Sequence, residues 1–247
     1  MVPFLYLVYA PSEVSVSAQT VVAHATSLGV AFVAATIGSW RYARAGAINW
    51  PAAAGYAVPG IASAFLVARL VTRSEAAEWI RAGFGAFLIA TALDMGRRAL
   101  GRHADSRHRE PHPHSWWWLA AIGLAGGGIS ALLGIGGGLI AVPALIYVGR
   151  LPVRTVAPTA LAGVCLTTLS GGIGYLTAGP GPPLSAWMAG FVDLRMFLPL
   201  SLGAACTVPF GVRVNRRSEA STLYLLFAAI FALIGVSILW SYARSRP

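Results

Sequence analysis

The sequence predicts an all-α polytopic membrane protein of about seven to eight transmembrane helices, in two homologous repeats with a glycine-rich broken or re-entrant helix. Three observations lead there. The chain of 247 residues is 57% hydrophobic and only 11% charged, where a soluble domain carries about 25% charged residues. Its apolar runs are long and do not alternate, which fits helices needing about 20 residues to cross a bilayer rather than strands. Short words also recur between the two halves of the chain at fixed offsets.

Residues 2–9 are apolar but too short to cross alone, and Met1-Val2-Pro3 lacks the basic segment of a cleavable signal sequence. Gln19–Trp40 is the first full span, with Thr20, His24 and Ser27 on one face and Arg41 and Arg44 closing it. Trp50–Val71 opens on an interfacial Trp-Pro and ends near Arg69 and Arg73. Ala76–Leu100 follows, with Asp94 near its end. The polar segment 101–115 then separates a first repeat, 1–100, from a second, 116–247. Trp116-Trp117-Trp118 marks re-entry at an interface. Leu139–Val148 is again too short to span, whereas Thr155–Ala178 spans fully with Thr159, Gly163, Thr167, Ser170 and Gly174 on one small, polar stripe. A Gly179–Pro183 turn, a partly apolar stretch at 184–192, and spans at Phe197–Val212 and Thr222–Tyr242 complete the chain.

The stretch Gly123–Ile146 is apolar enough for a bilayer yet contains Gly136-Gly137-Gly138 and ends its glycine run before Val142-Pro143. Glycine and proline weaken a helix, and in hydrocarbon each freed backbone amide costs several kcal/mol unless protein or a polar cavity covers it. Close helix packing would use Gly126, Gly134 and Gly138 at multiples of four. The triplet exceeds what packing needs and predicts a broken helix.

The recurring words are Thr26-Ser27-Leu28 with Thr159-Ala160-Leu161, and Tyr42-xxx-Gly46 with Tyr175-xxx-Gly179, both offset by 133. Arg69 with Arg213, and Ser74-Glu75-Ala76 with Ser218-Glu219-Ala220, share an offset of 144. Val2-Pro3 matches Val142-Pro143, but the helix at 116–134 has no counterpart before it. Duplicated bundles commonly hold a substrate near the midplane where the repeats meet.

Leu132-Leu133-Gly134-Ile135-Gly136-Gly137-Gly138, Val142-Pro143-Ala144-Leu145 and Ala25-Thr26-Ser27-Leu28 resemble the TauE/SafE family of sulfite and organosulfonate permeases. The resemblance runs over about 1–100 and 118–243. It implies seven to eight or more helices in two halves, the bacterial inner membrane, and export of sulfite, an organosulfonate or a similar small anion. The second repeat departs from it, with Pro158-Thr159-Ala160 where the first has Ala25-Thr26-Ser27.

An anion of that kind needs oriented donors without an excess of full charge, which half-helix N-termini supply. The expected substrate site is therefore Gly134, Gly136, Gly137 and Gly138, with hydroxyls from Thr26, Ser27 and Thr159; interhelical bonding is the competing role for those hydroxyls. His24, ionisable inside an apolar span, is the candidate for proton coupling. Arg69 and Arg213 are candidates for an anion vestibule, against the plainer role of setting orientation.

The net charge of +10 reads as loop charge rather than a nucleic-acid surface. No cofactor is called for and no enzyme machinery is visible: His103, His108, His112 and His114 match no compact metal site, and Cys165 and Cys206 lie in apolar runs with no signalled disulfide. An uptake carrier or channel for another small anion, or a membrane scaffold whose glycines only pack helices, are the alternative functions. Homo-oligomerisation stays open. The arginines of 97–115 should face the cytoplasm, and a re-entrant glycine segment would bring 41–44, 150–154 and 213–217 to the same side.

Overall fold

The computed structural model describes residues 16–71, 78–100, 116–134, 136–179 and 186–244. Expectations placed on 2–9, on 72–77, on 101–115 with its four histidines, and on 180–185 lie outside those residues. The elements are α1 (Val16–Arg44), α2 (Trp50–Val71), α3 (Glu78–Leu100), α4 (Trp116–Leu133), α5 (Gly138–Tyr147) and α6 (Val153–Leu176). They continue with a small antiparallel pair, β1 (Met188–Ala189) and β2 (Val192–Asp193), then α7 (Leu194–Arg217) and α8 (Ala220–Arg244). Six of these helices, α1, α2, α4, α6, α7 and α8, are long and apolar enough to cross a membrane. Helix α3 is less apolar because it carries Glu78, Arg81, Asp94, Arg97 and Arg98.

Local chemistry sets the boundaries. Asn49 precedes α2 and its Oδ1 accepts the Ala52 N–H at 3.1 Å; Asp193 precedes α7 and its Oδ1 accepts the Arg195 N–H at 3.0 Å. These are ordinary N-caps, each satisfying a donor that the first turn leaves over. Pro59, Pro143, Pro158, Pro199 and Pro209 lie within helices, which hydrocarbon-embedded helices tolerate when neighbours re-satisfy the backbone.

Side-chain pairings give the direction of each helix. Gly55 meets Leu119 and Gly128 meets Val67, so α4 runs parallel to α2. Tyr56 meets Gly163 and Ala68 meets Gly174, so α6 does as well. Gly38 meets Leu161 and Leu28 meets Gly171, so α1 opposes α6, whereas Gly29 with Phe197 and Gly38 with Val208 set α7 parallel to α1. Helix α8 packs along α3, where Gly235 approaches Gly85 and Ile89.

The consequence is an uneven distribution of charge. The ends bearing Arg41, Arg44, Arg97, Arg98, Arg150, Arg154, Arg213, Arg216 and Arg217 share one face, against Arg69, Arg81, Arg195 and Arg244 on the other. On the arginine-rich face, Asp94 accepts bonds from Arg98 Nε and Tyr147 Oη, both at 2.6 Å, which ties the end of α5 to α3.

Glycine lets α4 approach α2 backbone to backbone. A Cβ on Gly123 would collide with the Tyr56 carbonyl, and one on Gly127 with the Gly60 carbonyl. The close-packing stripe is thus Gly123–Gly127. Gly126, one position round the helix, instead faces Ile140 of α5 at 3.7 Å, because the chain folds back on itself after Leu133.

Candidate functional site

The fold-back is built from three glycines in the left-handed region: Gly134 (φ 64°), Gly136 (φ 81°) and Gly137 (φ 72°). Such angles cost other L-residues roughly 1–2 kcal/mol each, so glycine at these three positions answers a backbone requirement. Gly138 N–H donates to the Gly136 carbonyl at 2.9 Å, and Ala141 N–H to the Gly137 carbonyl at 3.0 Å, starting α5 with Gly137 as its N-cap. The first turn of a helix turns amide N–H groups outward from its start, with the positive end of its dipole. Here the Gly138, Ile140 and Ala141 amides are taken by the Gly136 and Gly137 carbonyls, so what that end offers is chiefly its dipole.

The turn lies deep. Gly136 and Gly137 are buried. A Cβ on Gly136 would lie 2.9 Å from Ala31 Cβ and 3.5 Å from a Thr168 methyl. Ala31 stands near the middle of the 29-residue α1 and Thr168 in the central part of the 24-residue α6. The start of α5 therefore sits between the two most buried spanning helices, halfway along α1 and about two-thirds of the way along α6. Thr167 and Thr168 both donate to the Val164 carbonyl, at 3.2 and 2.6 Å, so their hydroxyl protons are already used.

Beside this start lies a side chain that sequence reasoning missed. Ser130 is 2% exposed, and its Oγ finds no hydrogen-bond partner among the described residues. That oxygen is 3.4 Å from where a Gly137 Cβ would be. A buried hydroxyl without a partner costs about 1–3 kcal/mol, and its position at a helix start adds a donor beside the positive end of the dipole there. The signal was available: Gly126, Gly134 and Gly138 were read as a four-residue series, and Ser130 occupies the skipped position.

The other expected site residues divide. His24 joins the turn: it is 2% exposed, and its Cα would lie 2.5 Å from a Cβ on Gly134. Ser27, one turn on, is buried. Thr26 and Thr159 do not converge on it. The Asp193 N–H donates to Thr26 Oγ1 at 3.0 Å, and the Asn49 N–H donates to Thr159 Oγ1 at 3.1 Å, near opposite faces. Both hydroxyls serve as acceptors holding the cap of a distant helix. Asn49 and Asp193 are themselves 144 positions apart, the offset that relates Arg69 to Arg213.

Those two arginines also part. Arg69 donates from Nη2 to the Thr177 carbonyl and hydroxyl, both at 3.2 Å, beside the end of α6 on the arginine-poor face. Arg213 lies at the other face over the Phe210 ring, 5.8 Å from its centroid. They cannot line one vestibule, because the helices that carry them run in opposite directions. Cys165 and Cys206 are free thiols, and Cys165 Sγ is 3.2 Å from Thr36 Oγ1. Among the described residues, no group of three or more His, Cys, Asp or Glu side chains is placed to hold a metal.

Comparison with known proteins agrees with a membrane carrier. The chain is 25% identical to a probable membrane transporter protein of Methanocaldococcus jannaschii over 214 residues, covering 87% of this chain and 77% of that one. It is 23% identical to a probable membrane transporter protein of Bacillus subtilis over 195 residues, covering 74% of this chain and 66% of that one. No solved structure matches. The family model described as sulfite exporter TauE/SafE matches residues 1–238. With six membrane-length apolar helices among its described residues and a match to that model over residues 1–238, the chain belongs to the TauE/SafE family.

Proposed function

We propose that this membrane transporter carries a small sulfur-containing oxyanion or organosulfonate outward across a bacterial inner membrane, binding it at the start of α5. The observation that carries the reading is the Ser130 hydroxyl, buried and unpartnered beside the N-terminus of a half-length helix near the middle of the bundle. Anions are held well by helix N-termini, and an added hydroxyl orients the oxygen atoms without a full positive charge that would trap the ligand. The mechanism is alternating access, with α4 and α5 entering and leaving as a re-entrant hairpin from the arginine-rich, cytoplasmic side.

The two repeats, in this reading, are inverted. The support is that α1 and α6, linked by the 133 offset, run antiparallel, and that each half caps a helix onto the threonine of the other. Rocking of one half on the other would then expose the turn to either face in sequence. His24, packed under Gly134, is placed to link a proton to that motion.

The test is anion flux in proteoliposomes, comparing sulfite, thiosulfate, sulfoacetate, taurine and sulfate with and without a pH gradient. Saturable flux of one sulfur anion, lowered about tenfold or more by Ser130→Ala, is expected, since a hydrogen bond to a charged group is worth about 1.5–3 kcal/mol. Flux of none of these anions by folded protein would overturn the reading and favour a scaffold. Saturable flux of a chloride or phosphate control instead would leave a carrier of the wrong anion class. If the gradient accelerates flux, His24→Gln should abolish that acceleration while leaving basal exchange.

A further inference from the structure

Between α1 and α7, at the arginine-rich face, lies a cleft of about 650 Å³. Five arginines line it: Arg41 and Arg44 at the end of α1, and Arg213, Arg216 and Arg217 at the end of α7. No acidic side chain is among the lining residues. The one ion pair found among the described residues, Arg98 with Asp94, is elsewhere, and the exposed Glu219 lies beyond the cleft lining. Two of the cations are steadied on rings: Arg44 lies 4.1 Å from the Trp40 ring centroid and Arg213 5.8 Å from that of Phe210.

Two plainer roles account for part of this charge. Cations favour the last turn of a helix, and basic residues fix orientation. Neither explains convergence: spreading the same charges around both helix ends would serve equally and avoid mutual repulsion. Five guanidinium groups around one cleft call for an anion with several oxygen acceptors, and Arg is the side chain that grips such oxygens in pairs.

The surface below the cleft says what else the ligand carries. The apolar lining of the cleft is Trp40, Pro209 and Val212. Cys206 and Leu202 lie seven and eleven positions before Arg213, on the same face of α7. Both are exposed, Leu202 at 68%, and little of the α7 span is buried by the rest of the chain. Trp40, an interfacial residue type, is exposed at the rim. A charged upper cleft that continues into an open apolar face matches a molecule with a phosphate head and a hydrocarbon tail.

We propose that this cleft binds the phosphate headgroup of an anionic phospholipid, with an acyl chain lying along α7 past Cys206 and Leu202. Basic pockets between spanning helices on the cytoplasmic side suit such headgroups. The site is independent of the transported anion, because it lies at one face of the bundle rather than at the Gly136 turn.

Native mass spectrometry of the delipidated full chain, titrated with phosphatidylglycerol or phosphatidylcholine, tests it. Retention of phosphatidylglycerol in preference to phosphatidylcholine is expected, weakened about tenfold or more in R213Q/R216Q/R217Q. R150Q/R154Q, which removes the same kind of charge from the same face outside the cleft, should bind as the wild type does. R41Q/R44Q gives the same readout from the other wall if the triple variant does not fold. Equal retention of both lipids, or loss of binding in the R150Q/R154Q control as large as in the cleft variants, would overturn the proposal. So would displacement of phosphatidylglycerol by inorganic phosphate at comparable concentration, which would mean a soluble anion is the ligand.

Discussion

Ser130 separates a ligand role from a structural one by the sign of its effect. A hydroxyl that bonds to nothing in the unliganded protein is a cost, so Ser130→Ala should leave thermal stability unchanged or slightly raised while transport falls. A serine that held helices together would show the reverse. The neighbouring glycines divide in the same way. Alanine at Gly134 would push a methyl against the His24 backbone in addition to its φ of 64°, and should lower the melting temperature by many degrees. Alanine at Gly137 meets Ser130 at 3.4 Å and the Gly126 carbonyl at 3.7 Å, both ordinary contacts, and should cost about 1–2 kcal/mol of backbone strain. Thermal melting with flux measured on the folded fraction distinguishes them: Gly137→Ala should lose transport beyond its loss of stability. The glycine run announced this turn in the sequence, since three φ values above zero have no other cheap solution. Ser130 was legible only as the skipped member of the Gly126, Gly134 and Gly138 series; that this face meets the turn depends on how α4 rotates to bring Gly123 and Gly127 against α2.

Helix boundaries were legible to within a few residues, because hydropathy changes abruptly at Trp50, Trp116 and the arginine clusters. The β1–β2 pair was not. Its strands are two residues each, too short for any period, and Val192 is fixed by packing with Leu28 and Tyr175. The cap exchange was equally hidden: Thr26 and Thr159 read as ligands by chemistry alone, yet each accepts an N–H from a residue over a hundred positions away in sequence. Replacing either threonine by valine keeps shape and removes the acceptor, leaving the buried Asp193 N–H or the half-buried Asn49 N–H without its partner. Each substitution should cost about 1–3 kcal/mol. An inverted arrangement would make the two losses similar, and they should be additive in the double variant, since the threonines lie near opposite faces. Denaturation of the detergent-solubilised variants measures this; a large loss from one and none from the other would count against equivalent halves.

For the whole molecule, sidedness hinged on one local event. Charge counting from sequence mildly favours a chain that reverses at the glycine turn; a chain crossing four times in each half would put 69–73, 150–154 and 213–217 outside and nearly cancel the bias. With the reversal in place, the loop after α1 and the loop after α6 lie on opposite faces. Ala45→Cys and Ala186→Cys, in a background with Cys165 and Cys206 replaced by alanine, report this directly. An impermeant maleimide added to intact cells should label Ala186→Cys and spare Ala45→Cys until the membrane is opened. The reverse pattern would invert the assigned orientation.

The turn at Gly136 also has a kinetic consequence. It lies near the line about which the two halves would exchange, yet among the described residues α4 and α5 supply such a turn from one face only. In the alternating-access cycle proposed above, the two open states would surround the ligand with different walls, one including the hairpin and the other the flank of α1 and α6. Energy conservation fixes only the ratio of maximal rate to half-saturation for a passive cycle in the two directions. The individual half-saturation concentrations are free to differ, and a one-sided hairpin makes them differ. A protein reconstituted in a single orientation should thus fill at distinct ligand concentrations from its two sides, a rectification written into the placement of one loop.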